Sequence, residues 1–270
     1  MQSSDKPIFE ELSHTVGPKR VLLIRHCDSV WTAGTKNGGK GISRAQIRVM
    51  TESGCNILNI PNASLPLTEH GEIQAQNIGR KISAMSLQEQ WSLEEAAKYR
   101  SLTERTRMTW QKLLQGYCEI RRLFEEKHHK NPQLIAEGVI AENNIAERNF
   151  GPLERMADED IDEKYPTLRA EQAGNPFFFR PPNGQSMQDL GIQQVRPWLV
   201  RIMEEHVDQT VVAVTHGGTI QTAKAILESW TPEQANKFLQ PSPPVGSITT
   251  LVFSPEKRRL VVQNCTPLDI

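Results

Sequence analysis

The chain has 270 residues, and its 31 basic and 32 acidic side chains leave a net charge of −1. That balance excludes a global attraction to nucleic acid or to an anionic membrane, so any electropositive site must be local. With 37% apolar and 23% charged residues the composition is that of a folded globular chain, and its length suits one domain over 1–270, with a core over about 19–265 and loop insertions.

In chain order, the opening "MQSSDKPIFEELSH" has no apolar leader region. No run is long enough to span a bilayer, so the expected location is cytoplasmic, with no membrane span. The first strand signal is "VLLI", Val21 to Ile24, which follows a Gly-Pro-Lys-Arg turn and ends in "RHCDS". From Thr32 to Pro66 a Gly-rich start, a basic amphipathic piece "ISRAQIRVM" and a further loop read as an insertion or lid. Lys36, Lys40, Arg44 and Arg48 make it basic, either as a solvated flap or as an anion clamp.

Leu67 to Met85 carries a helix-start signal at Thr68 and places Ile73, Ile78 and Ile82 on roughly one face of a covering helix. Helix is also expected at Thr103 to Phe124, in "DEDIDEKYPTL" and over Met187 to Val207, around a Pro-rich break at "NPFFFRPPNG". "TVVAVT", Thr210 to Thr215, is a second buried strand that ends in "HGG" and leads into a helix over Thr219 to Trp230. "GSITTLVFSPEKRRLVVQNC" reads as a hairpin. This alternation predicts an α/β fold, a three-layer α/β/α sandwich on a mostly parallel sheet. Ligands of such sheets bind beyond the strand carboxyl ends, so His26 and His216, each directly after a strand, point to one shared site.

The four cysteines, Cys27, Cys55, Cys118 and Cys265, form no CxxC pair. They read as free thiols, and no zinc ribbon or dithiol motif is present. No Asp/His cluster has metal-ligand spacing, so neither metal nor cofactor is expected. His14, His70, His128, His129 and His206 lie in charged or turn-like surroundings and receive no role. Phe177 to Phe179 read as a core or loop anchor.

Six segments, in order, resemble the histidine phosphatase superfamily, the phosphoglycerate-mutase-like proteins. Arg25-His26-Cys27-Asp28-Ser29 is similar to the family's Arg-His-Gly-x-Ser/Arg, and "PLTEHGEIQA" to its Leu-Thr-x-x-Gly-x-x-Gln-Ala. "SLTERTRMT" resembles Ser-x-Leu-x-Arg-Ala/Thr-x-x-Thr, which places a second phosphate-binding arginine at Arg105, with Arg100 and Arg107 as neighbouring alternatives. "IAERNFGPLE" resembles the segment that carries the general acid, here Glu147, with Glu142 and Glu154 as competitors. "PPNGQSMQDL" and "VVAVTHGGTI" complete the series, the last at His216.

The resemblance implies a phosphatase that needs no metal and hydrolyses a phosphomonoester, on a small molecule or a phosphoprotein. His26 would be the nucleophile and Glu147 the proton donor, with His216, Arg25, Arg105 and Gly217 around the phosphate. Ser29 and Thr32 either donate to phosphate or cap a helix. His26 must be neutral to attack, whereas His216 is more useful protonated. Three departures stand out: Cys27 replaces a glycine, Gln185 replaces a glutamate, and the insertion replaces the Phe-x-Gly-Trp-x-Asp segment of glycolytic mutases. The last favours a phosphatase over a phosphomutase, while the first two keep open a catalytically weak phospho-ligand binding or scaffold protein. Arg180 is placed to touch a distal substrate group, and Cys27 is expected to point away from the attack line.

Overall fold

The computed structural model describes residues 6–34, 43–52, 57–124, 132–239 and 241–266. Lys36, Lys40, Cys55, His128 and His129 lie outside them. The order is β1 (Arg20–Arg25), α1 (Val30–Gly34), α2 (Arg44–Glu52), α3 (Glu69–Gln88), β2 (Ala97–Arg100), α4 (Glu104–Phe124), α5 (Pro132–Glu137) and β3 (Val139–Ala141). Then come α6 (Asp158–Lys164), α7 (Leu168–Gly174), α8 (Met187–Leu190), α9 (Arg196–Glu205), β4 (Thr210–Thr215), α10 (Gly217–Leu227), α11 (Pro232–Phe238), β5 (Ile248–Ser254) and β6 (Arg259–Thr266).

The described strands form one sheet in the order β3-β2-β4-β1-β5-β6. The first four are parallel, and the β5-β6 hairpin adds on antiparallel beside β1. Because successive side chains of a strand face opposite ways, a strand covered on both faces must be apolar at every position. The four central residues of β1 and of β4 meet that demand. Val21, Leu23, Val211 and Ala213 pack into the core under α9 and α10, with Trp198, Leu199 and Ile220. Leu22, Ile24, Val212 and Val214 pack into the opposite core under α3 and α4, with Ile78, Ile82 and Leu113. This is the expected three-layer sandwich.

Thr68 caps α3 by accepting from Gly71 N–H, and the buried face of the helix runs through Ala75, Ile78 and Ile82. Ile73 departs from the expected stripe and is 47% exposed, because Ala75 and not Ile73 falls on the inward side. α3 and α4 cross closely at two glycines. A Cβ on Gly79 would sit 1.9 Å from the Leu113 carbonyl oxygen, and one on Gly116 would sit 2.0 Å from that of Gln76. Backbone cannot swing aside as a side chain can, so Gly79→Ala should destabilise the protein by about 1–3 kcal/mol. An unchanged urea midpoint would show that the two helices can part without cost.

Two strands escaped the sequence reading. β2 is "AKYR", four residues with two cations, and β3 has three residues. Buried Lys98 is tolerated in β2 because its ammonium donates to the carbonyls of Leu93 and Ala96, each at 2.9 Å. Phe177 is fully buried in the core under α9 and α10, which matches the anchor reading. Among the described residues no helix is long and apolar enough to cross a membrane.

Candidate active site

β1 and β4 are parallel neighbours with Arg25 opposite Thr215, so the next residues, His26 and His216, leave the sheet side by side. Their rings are 5.2 Å apart, centroid to centroid, and both are buried. His26 Nδ1 lies 2.8 Å from the Cys27 carbonyl oxygen. A carbonyl only accepts, so Nδ1 carries the proton and Nε2 keeps its lone pair. His26 is held well below the ordinary histidine range, first by burial and then by the charges of Arg105 and Arg25. It is therefore neutral at physiological pH.

His216 precedes the first turn of α10. Its Nε2 is 2.8 Å from Ser101 Oγ, and its Nδ1 faces Arg105 Nη2 at 3.4 Å and Glu147 Oε2 at 3.7 Å. Arginine has no acceptor, so Nδ1 offers the lone pair and Nε2 the proton. Burial, Arg105, His26 and Arg25 all push His216 well below its ordinary value. Although the Glu147 carboxylate lies 3.7 Å away, burial and the neighbouring arginines outweigh it, so His216 is held in its neutral form and not in the protonated form that would be more useful to catalysis.

Two buried neutral histidines make the fold sensitive to acid. In the unfolded chain each takes up a proton near pH 6.5, and in the folded chain only well below that. The unfolded state therefore binds more protons between the two values, and stability falls as pH drops below about 6.5, by up to about 1.4 kcal/mol per unit for each ring. Urea titrations from pH 7 to pH 5 should show that slope, and His216→Asn should reduce it. A flat profile would mean that both rings take up protons in the folded protein as readily as in the unfolded chain, and half the slope that only one of them does.

Arg25 ends β1, donating from Nη1 to Ser242 Oγ and to the Pro243 carbonyl. Gly217 permits this placement, since a Cβ there would meet Arg25 Cζ and Nε at 3.2 Å and Ser242 Oγ at 2.7 Å. Arg105, in the first turn of α4, is 5% exposed, whereas Arg107 pairs with Glu104 and Arg100 bonds the Ser101 carbonyl. Of the three candidate arginines, Arg105 is the one that reaches His216. Of the three carboxylates, Glu147 reaches it: Glu142 is engaged by Arg201, and Glu154 accepts from Phe150 N–H. Gly218 makes room for Glu147, whose Oε1 would lie 2.7 Å from an added Cβ.

Arg148, which received no role from the sequence, is also buried, over the Phe150 ring at 4.3 Å. Burial lowers the pKa of Arg25, Arg105 and Arg148, with the charge of Glu147 partly offsetting it in each case. Arg25 Nε and Arg148 Nη1 are buried without a hydrogen-bond partner among the described residues. Three buried guanidinium groups share the field of one carboxylate and have donors left over, an arrangement that an anion would complete, because an unpaired buried charge is costly. The N-terminus of α10 adds its backbone N–H groups beside His216.

Other expectations fare differently. Thr32 Oγ1 accepts from Ser29 N–H at 2.7 Å and donates to Asp28 Oδ1 at 2.6 Å, while Ser29 Oγ accepts from Thr32 N–H. Both hydroxyls thus close the first turn of α1, the helix-cap alternative. Cys27 is fully buried in the core under α3 and α4, and burial pushes its thiol far above the ordinary range. Arg180 pairs with Asp189, and Gln185 ties Asn149 N–H to Gln193.

Arg44 of the insertion is also spent, on Asp160 and Glu163 of α6. Arg48 pairs with Glu52. Two further residues received no site role from the sequence: Gln74, which accepts from Asp28 N–H and donates to the Val245 carbonyl, and Asn62, which accepts from Arg105. Among the described residues no group of three or more His, Cys, Asp or Glu side chains is arranged to hold a metal ion.

The model of the histidine phosphatase superfamily, branch 1, matches residues 60–266. The chain belongs to that superfamily. Arg25 and His26 lie ahead of the matched stretch, and it is β1–β4 pairing that brings them to the rest of the site. The 2,3-bisphosphoglycerate-dependent phosphoglycerate mutase of Brucella ovis is 25% identical over 173 residues, which are 63% of this chain and 73% of the relative. The alpha-ribazole phosphatase of Shigella flexneri superposes with a TM-score of 0.60 at 19% identity, covering 91% of this chain and 95% of that one. A mycobacterial glucosyl-3-phosphoglycerate phosphatase, solved with VO3, gives 0.59 at 16% identity, covering 93% and 99%. These two structures share the fold of this superfamily member.

Proposed function

We propose that the protein is a metal-independent phosphatase that hydrolyses a phosphomonoester through a phosphohistidine at His26. The observation that carries this reading is the His26 tautomer: with Nδ1 committed to the Cys27 carbonyl, Nε2 presents its lone pair among buried guanidinium groups. A phosphomonoester bears close to two negative charges near neutral pH. Arg25 and Arg105 would draw it in and stabilise the equatorial oxygens as Nε2 attacks phosphorus and the ester P–O bond breaks. Glu147 must enter this step in its acid form: it gives its proton to the departing alkoxide, and the carboxylate so formed removes a proton from the water that hydrolyses the phosphohistidine, which releases inorganic phosphate and restores His26 and the acid form of Glu147. His216, neutral before substrate binds, would be drawn toward protonation by the arriving dianion.

Hydrolysis is favoured over phosphoryl transfer by the insertion that stands where glycolytic mutases carry their Phe-x-Gly-Trp-x-Asp segment, and by phosphatases among the proteins of like fold. The substrate class is a phosphorylated small molecule, the kind that the names of those phosphatases describe. Rapid quenching with a phosphorus-labelled phosphoester should leave acid-labile, alkali-stable label on the protein and release inorganic phosphate. Phosphate release without protein-bound label at any quench time would sink the covalent mechanism. Label that passes to a second acceptor with little phosphate release would make the protein a mutase.

A further inference from the structure

The insertion enters the site through Asn62. Arg105 Nη1 donates to both the Asn62 main-chain oxygen, at 2.8 Å, and its side-chain Oδ1, at 3.1 Å. The two residues are 43 positions apart, and the contact joins a 3-10 turn at Asn62–Ser64 to the first turn of α4. The turn is itself anchored, since Ile57 and Leu65 on either side are buried in a small apolar cluster with Val30, Trp31, Ile47, Met50 and Ile60. The start of α2 is held separately, where Arg44 bonds Asp160 and Glu163 and its N–H donates to Glu159.

The chemistry of the partner matters as much as its position. Both Asn62 oxygens are neutral. They can fix the plane of a guanidinium and satisfy one nitrogen without cancelling its charge, whereas a carboxylate in the same place would pair with the cation and compete with a phosphate for it. Arg105 Nη2 is thereby left turned toward His216 Nδ1.

We propose that Asn62 is a positioning residue for phosphate binding, by which the insertion sets the anion affinity of Arg105. This inference rests on the reading of Arg105 as a phosphate-binding residue. It makes the insertion part of the phosphate site through a neutral acceptor pair.

The test is competitive inhibition by inorganic phosphate during nitrophenyl phosphate hydrolysis, with melting temperature measured alongside. Asn62→Ala keeps the main-chain acceptor and should raise the inhibition constant about threefold, whereas the isosteric Asn62→Asp should raise it about tenfold or more. Both variants should melt within a few degrees of the wild type. In an Arg105→Ala background the difference between Ala and Asp at position 62 should vanish.

An Asp variant equal to or better than the Ala variant would overturn the proposal and leave Asn62 a packing residue, and so would a loss of folding in either one. Persistence of the Ala-to-Asp difference without Arg105 would also overturn it. Should Arg105→Ala alone leave the inhibition constant unchanged, the phosphate-site reading itself falls, and this inference falls with it. A tenfold or greater loss from Arg105→Ala without any effect of Asn62→Asp overturns the inference alone.

Discussion

His26→Ala should lower kcat about 10⁴-fold or more and leave no acid-labile phosphate on the protein. The loss is large because no other group in the site can replace the lone pair. His216 is buried in contact with His26, but its Nε2 is turned to Ser101 and its Nδ1 to Arg105 and Glu147. Cys27, adjacent in the chain, faces the apolar core with its thiol held far from ionisation. Binding should survive. The same cations remain, so the alanine variant should bind inorganic phosphate within a few-fold of the wild type. Retained labelling in the variant would move the nucleophile elsewhere.

Glu147→Gln carries the second large effect, and it depends on the leaving group. For an alkyl phosphate, whose alkoxide must be protonated as it departs, kcat/KM should fall about 10²–10⁴-fold. For nitrophenyl phosphate, whose leaving group departs as a stable phenolate, the loss in phosphorylation of His26 should be about tenfold or less. Glutamine matches the shape of glutamate, so the tight fit of Oε1 against Gly218 is kept and packing does not confound the comparison. The amide cannot donate a proton to the alkoxide without leaving an unstable anion. Equal losses for both substrates would remove Glu147 as the general acid and make it only an electrostatic partner of the three buried arginines.

Much of the site was legible because its parts sit at the ends of signals that survive without neighbours. Four apolar residues before Arg25 and a β-branched run before His216 are strands wherever they pack, and a strand end is where an α/β sheet binds ligands. Arg148 was legible in place though not in role, standing beside Glu147 with nothing in its own residue type to say that it would be buried. β2 was missed because "AKYR" has the composition of a loop; pairing with β3 and β4 makes it a strand, and the carbonyls around Lys98 let its ammonium be buried there. Ser29 and Thr32 could equally have faced a phosphate or a helix end, a choice made by the hydrogen bonds of α1.

Residue type and local order alone therefore define the two buried strands, the histidine that follows one of them and is proposed as nucleophile, and the family to which the chain belongs, because each depends on contiguous hydrophobic or motif residues. Contacts between distant segments decide the rest. The charge on Arg44 looked available to a substrate until folding brought α6 against it, and Asn62 looked like loop until folding set it on Arg105. The protonation of His216 follows the same rule. Its neutrality comes from burial and from arginines supplied by other elements, and an isolated stretch of sequence contains neither.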